Sequence, residues 1–302
     1  MQTMPNSQDT LLRFLLPTAG VRGAIVHLDH AWQAIVEHRH YPEVAAALLG
    51  EAAAAAALFA GHVKVDGRLS IQLRSTGALA TLFAECTAKG GLRGIVRLRD
   101  GAHQVPSDLR QLGHDALLAI TIENPPLRGD EPMRYQGLVG LQSSRLDAAF
   151  ETYFAHSEQL PTRLLLACDG TRAAGLLLQK LPGSGGDEDG FQRVSALFDT
   201  LDREELLALP PAETVHRLFH EELPELLGEK PMRFACSCSR ERVEAMLVAL
   251  GPEEAQAAVA AGDGQAQVTC EFCGQRYHFD ADQVATLFHQ AERSLPGPPS
   301  LQ

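Results

Sequence analysis

Positive charge is scarce in this chain of 302 residues, where 26 Lys plus Arg stand against 38 Asp plus Glu for a formal net charge of -12. That balance disfavours nonspecific attraction to a phosphate backbone or an anionic membrane. The N-terminus lacks the cationic start of a secretory leader and has only a short apolar run at residues 14–16. No later segment reads as long and apolar enough to span a bilayer. Also absent are a Walker or dinucleotide-binding glycine pattern, a Gly-x-Ser-x-Gly elbow and a His-Glu-x-x-His helix. The absences point to a cytoplasmic protein without a nucleic-acid or membrane partner, and with no recognisable enzyme class. In that reducing compartment, closely spaced cysteines are metal ligands or redox groups before they are permanent disulfides.

Cysteine is sparse too, yet four of the six thiols are concentrated in two close pairs, Cys236-Ser237-Cys238 and Cys270-Glu271-Phe272-Cys273-Gly274. Two tight turns joined by a helical spacer can bring four sulfurs to one tetrahedral metal, and zinc is the ion that this donor set selects. Gly274 suits the backbone conformation that turns N–H groups toward the sulfurs. The expected ligands are Cys236, Cys238, Cys270 and Cys273. His278 follows closely and is the alternative donor, ranked below the four thiols. Cys86 and Cys168 sit in apolar strand patterns and read as small buried hydrophobes.

The rest of the chain is long enough for about two domains. Strand patterns fall at residues 23–28, 69–74, 79–86, 94–99, 117–122, 135–141, 164–168 and 173–179, with helices at 30–38, 42–59 and 146–156. Strands this close together imply antiparallel pairing. The six alanines 52–57 read as helix propensity and close packing. A Gly-rich acidic break at 183–190 is followed by Phe191, Val194, Leu197, Phe198 and Leu201, then by Val215, Leu218 and Phe219, each set at helical spacing. Such short helices need a dock, either the preceding sheet or the cysteine unit. The acids Asp199, Asp202, Glu204 and Glu205 read as a solvated helix face. The expected class is α+β: an N-terminal antiparallel sheet domain with helices (1–180), a helical linker (181–231) and a small C-terminal zinc-binding domain (232–302). Within the last, Ser239 caps a helix over 240–250, a hairpin surrounds the second cysteine pair, Asp280 caps a helix over 281–291, and the tail from 296 is disordered.

Four thiolates on zinc carry a formal charge of minus two, which Arg233, Arg240, Arg242 and Arg276 are placed to offset. A tetrathiolate leaves no open position for water, so hydrolytic catalysis is not expected and the site reads as a structural staple or a redox group. Structural zinc contributes an apparent ~10–16 kcal/mol in small domains, about the whole net stability of an ordinary fold. Its loss is therefore expected to unfold the C-terminal unit. If the linker helices rest on that unit, Phe191, Leu197, Phe198, Leu218 and Phe219 then become exposed.

Cys236-Ser237-Cys238-Ser239-Arg240-Glu241-Arg242 and Cys270-Glu271-Phe272-Cys273-Gly274 together resemble the signature of the heat-shock protein thirty-three family of bacterial redox-regulated holdase chaperones. Val21-Arg22-Gly23, Arg134-Tyr135-Gln136-Gly137, Tyr153-Phe154, residues 157–163 and 173–179 extend the likeness over nearly the whole chain. The resemblance implies an ATP-independent chaperone whose reduced form holds one zinc and is inactive. Disulfides within each close pair, Cys236 with Cys238 and Cys270 with Cys273, would expel the metal and unfold a metastable linker. It further implies unfolding proteins as clients, a homodimer on activation and ATP-dependent foldase chaperones downstream. The tighter ring of a Cys-x-Cys disulfide favours the distal pair oxidising first. The Gly-rich segment and Pro210-Pro211 depart from the family pattern and bear on the stress threshold. A zinc-stapled nucleic-acid-binding or regulatory protein is the alternative, against which the acidic balance counts.

Overall fold

A computed structural model describes residues 9–62, 65–102, 104–126, 133–183 and 186–294, with the side chains of 291–294 left aside. They fall into two compact units, Met1–Ala235 and Cys236–Gln302. The tail expected to be disordered lies outside the described residues, as do Ser184 and Gly185 of the Gly-rich segment. The flanks of that segment are held: the Asp187 amide donates to Thr18 O at 2.9 Å, and Arg193 pairs with Asp187 and Asp189 at 3.1 Å each.

The first unit is built on two sheets. One has five antiparallel strands in the order β10-β1-β2-β9-β8, formed by β1 (Thr10–Leu16), β2 (Val21–Leu28), β8 (Thr162–Cys168), β9 (Ala173–Lys180) and β10 (Glu225–Pro231). The other runs β11-β5-β4-β3-β6-β7, from β3 (Arg68–Arg74), β4 (Leu79–Thr87), β5 (Gly91–Leu98), β6 (Leu117–Asn124), β7 (Met133–Val139) and the two-residue β11 (Arg233–Phe234). Its pairings are antiparallel except the short β11–β5 contact, which is parallel. The expected strands are all present with shifted ends. Three strands had no expectation behind them: β1, of which only residues 14–16 stood out, β10 and β11.

Helix α1 (His30–Val36) leads to α2 (Glu43–His62), which packs against strands of both sheets and is buried nearly all round. The alanine run explains how: Ala52–Ala57 are each fully buried, and side chains of one carbon let both sheets close on the helix. At Gly50 the approach is closest, since a Cβ there would lie 2.4 Å from Cys168 Sγ. By length and apolarity α2 does qualify as a membrane span, with mean hydropathy 1.8, contrary to the sequence reading; 78% of that window is buried inside the protein, as befits a core helix. α3 (Leu146–His156) lies against β8.

Because strand side chains alternate, the central strands of the five-stranded sheet bury both faces. Ala24, Val26, Leu28 and Leu177 face the α2 side, while Leu12, Phe14, Leu16, Ile25, Leu176 and Leu178 face the other. That second face is covered by α4 (Gly190–Phe198), α5 (Arg203–Ala208) and α6 (Pro211–Phe219). Val194, Phe198, Leu201, Leu206, Val215 and Phe219 are buried there, and Phe219 stacks on Phe14 at 5.9 Å. The dock of these helices is thus the sheet. The acidic run is not simply solvated: Asp199 pairs with Arg163, Asp202 caps α5 by accepting from the Glu205 amide at 2.7 Å, and Glu205 pairs with Arg217 at 3.0 Å. Glu204 alone of the four is exposed without a described partner. The span read as a helical linker also ends in strand β10, which extends the sheet along β1.

Candidate metal and redox centre

The second unit has a small apolar core of seven described side chains: Val243, Leu247, Ala255, Val259, Ala266, Phe279 and Val284. Around it lie α7 (Arg240–Leu250), α8 (Pro252–Ala261), the antiparallel pair β12 (Gln265–Thr269) and β13 (Arg276–Asp280), and α9 (Ala281–Ser294). Ser239 caps α7 as expected, its hydroxyl accepting from the Arg242 amide at 3.3 Å. Asp280 caps α9 by accepting from the Gln283 amide at 2.8 Å, and the Gln283 side chain accepts from the Asp280 amide in return.

Each cysteine pair sits on a turn fastened by its own backbone. Ahead of α7, the Cys238 amide points at Cys236 Sγ at 3.5 Å, and Arg242 Nη1 donates to Ser237 O at 2.8 Å. Between β12 and β13, the Cys270 amide donates to Gln275 O and the Gly274 amide to Cys270 O, at 2.8 and 2.9 Å. Gly274 has φ +69°, the left-handed region in which glycine pays no steric penalty.

The two turns bring all four sulfurs within 4.8 Å of one another, each half-buried and free of disulfide. Cys236 Sγ lies 3.6 Å from Cys270 Sγ, and Cys238 Sγ 3.4 Å from Cys273 Sγ. A zinc ion with sulfurs at ~2.3 Å requires tetrahedral edges of about 3.8 Å, so the donor set fits in chemistry and spacing. The group can hold a metal ion.

One contributor was not foreseen. The Tyr277 hydroxyl donates to Cys238 Sγ at 3.2 Å. Alternation along Arg276-Tyr277-His278-Phe279 carries the signal, since Tyr277 shares the face of the buried Phe279 while His278 is directed oppositely. His278 is exposed and is not in the four-ligand group. Burial opposes the Cys238 thiolate, but the Tyr277 hydroxyl and the neighbouring thiols outweigh it and bring the thiol down to about 7. Burial and then the thiols of Cys238, Cys270 and Cys236 push Cys273 up, and burial raises Cys236.

Of the four arginines expected to offset charge, Arg242 engages the cysteine turn. Arg240 instead lies over the Phe279 ring at 4.3 Å and pairs with Glu244 at 3.1 Å. Arg276 is exposed on β13, and Arg233 belongs to the first unit on β11. Cys86 and Cys168 lie in the first unit, where burial pushes each thiol up to about 12 and keeps it protonated.

Comparison with known proteins places this geometry. The family model described as "Hsp33 protein" matches residues 9–280. The chain is 42% identical over 295 residues to the 33 kDa chaperonin of Pseudomonas fluorescens, covering 95% of this chain and 96% of that one. With the 33 kDa chaperonin of Ectopseudomonas mendocina it shares 43% identity over 289 residues, covering 94% and 96%. The fold matches the crystal structure of the 33 kDa chaperonin (heat shock protein 33 homolog) of Thermotoga maritima with a TM-score of 0.75 at 18% identity, over 95% of this chain and 100% of that one. The chain belongs to the Hsp33 family.

Proposed function

We propose that this protein is a redox-regulated, ATP-independent holdase chaperone of the cytoplasm, which binds unfolding proteins and prevents their aggregation. In the reduced state Cys236, Cys238, Cys270 and Cys273 hold one zinc ion, and the protein is inactive. The observation that carries the reading is a closed four-thiol site within a unit whose apolar core has seven buried side chains among the described residues. Bound zinc supplies the cross-link that such a core is too small to replace.

Oxidation of each close pair gives two electrons to an oxidant such as peroxide. One hydrogen peroxide and two protons yield two waters as one S–S bond forms. Oxidation of both pairs leaves no thiolate to retain the metal, and the C-terminal unit loses its cross-link. Residues 181–231 act as the metastable linker. The chain runs from β10 through β11 straight into Cys236, and β11 is held by few bonds, among them Arg233 N to Gly90 O at 3.0 Å and Ala235 N to Leu92 O at 2.8 Å. Unfolding that begins at the cysteines is passed along the chain to these bonds and then to the helix layer. Release of that layer uncovers Phe198, Phe219 and the sheet face of Phe14, Leu176 and Leu178 for clients, for a homodimer, or both; ATP-dependent foldases then take the clients over.

Zinc release, read with a chromophoric chelator, and suppression of client aggregation are to be followed in parallel before and after peroxide with mild heat. Both rise together on this reading. Equal aggregation suppression by the reduced, zinc-loaded protein would remove the switch.

A further inference from the structure

The helix layer is held by more than its apolar face. Arg203, the first residue of α5, donates from Nη1 to Glu51 Oε1 at 2.7 Å and from Nη2 to Asp147 Oδ2 at 3.1 Å. The acceptors belong to other elements, Glu51 to α2 and Asp147 to α3. Both are buried, at 6% and 0% exposure. α2 packs on the face of the five-stranded sheet opposite the helix layer, while α3 and α5 both pack on β8, the edge strand of that sheet. Arg203 therefore reaches round the β8 edge and fastens the outer layer to the core. Arg145 also pairs with Asp147, at 2.9 and 2.7 Å, so two guanidinium groups meet two carboxylates.

Other bonds cross the same seam, but they are of a different kind. Arg163 of β8 joins Asp199 beyond α4, and Arg172 donates to Leu207 O at 3.1 Å. The Asp199 side chain is 54% exposed, so water and salt replace its partner readily. Glu51 and Asp147 have no such recourse. Removing Arg203 leaves Glu51 buried without its cation, so that it must either take up a proton or stay charged beside Asp147, which keeps only Arg145; either costs more than the loss of a surface pair. In keeping with this, burial pushes the Glu51 carboxyl up to about 7 even though Arg203 pulls it back.

We infer that Arg203 is the latch of the α4–α6 layer, setting how readily that layer leaves the sheet independently of the cysteine site. Taken with the proposed function, on which its regulatory meaning rests, the latch sets the activation threshold of this chain from the docking side while the metal sets it from the cysteine side.

The test uses the full-length, reduced, zinc-loaded protein at pH 8, above the value of about 7 to which burial pushes Glu51. Hydrogen exchange of the α4–α6 amides is measured together with zinc content. Arg203→Met is expected to speed exchange at least tenfold with zinc retained. The triple variant Glu51→Gln, Asp147→Asn, Arg203→Met removes the buried charges along with their partner, and is expected to return exchange to within about threefold of wild type. Arg203→Lys, which keeps the charge and loses the fork, should fall between. Unchanged exchange in Arg203→Met overturns the latch; so does equal acceleration in the triple variant, which would assign the effect to lost packing. Zinc loss in step with opening overturns its independence. Should Arg203→Met not fold, wild-type exchange in Arg203→Lys overturns the proposal and intermediate exchange supports it. Aggregation suppression by reduced Arg203→Met is read separately: an open layer without that activity counts against the chaperone reading and leaves the latch standing.

Discussion

In the first unit, α2 is enclosed by two sheets and the central strands of the five-stranded sheet are buried on both faces. Among its described residues, the second unit gathers seven buried apolar side chains beside four converging thiols. One is stabilised by area removed from water, which is non-directional and spread over many residues. With zinc bound as proposed, the other would depend on a few directed bonds at one point. A stabilisation that is spread out degrades gradually, whereas one concentrated in four sulfurs can be removed by chemistry on those atoms alone. The helix layer stands between these cases, since it shares the apolar floor of the first unit yet closes with the Arg203 clamp.

The largest effect that would break this contrast is removal of the metal. Cys273→Ser, or chelation of the wild type, withdraws on the order of 10 kcal/mol from the second unit. Amide protection across 236–294 is expected to vanish while the thermal transition of the two-sheet unit persists. Full retention of protection after chelation would show that the seven-residue core suffices by itself. Next in size is Phe219→Ala, which empties a fully buried site beside Phe14 and costs about 3–5 kcal/mol. Faster exchange in α4–α6 is the expected result, and exchange unchanged from wild type would deny that the apolar face holds the layer to the sheet. The smallest change is Tyr277→Phe, which deletes the hydroxyl donor to Cys238 Sγ. Loss of such an outer partner lowers metal affinity by about 10–100-fold, measurable by competition with a chelator. The ring-strain argument places oxidation of the Cys270–Cys273 pair first, and a mass-spectrometric time course of disulfides under peroxide checks it; early appearance of the Cys236–Cys238 bond counts against it.

Much of this was legible in the residues. The cysteine spacing, the Ser239 and Asp280 caps, the Gly274 turn and the core strands are local signals, in which neighbours along the chain specify the geometry. β10 was not legible: Glu-Leu-Leu-Gly-Glu-Lys-Pro has no alternation, nearly all of it is exposed, and Leu226 and Leu227 both face solvent. It is a strand because β1 offers an unpaired edge, and an edge supplies backbone bonds whatever the side chains. The acidic run was legible as a solvated face, since Asp199, Asp202 and Glu204 are exposed, but its pairings were not. Charge alone does not reveal whether Asp199 or Asp202 finds water, a guanidinium or a helix N-terminus.

By itself the sequence determined the four-thiol donor set, the small capped unit that carries it, the alanine-rich core helix and the α+β class, because each follows from composition or spacing within a short window. Only the tertiary structure decided that the short acidic helices rest on the sheet, that Tyr277 reaches Cys238, and that Arg203 joins Glu51 and Asp147 across separations of 152 and 56 residues. Those pairings depend on which surfaces the folded chain brings together, and no periodicity along the sequence encodes a contact between residues so far apart.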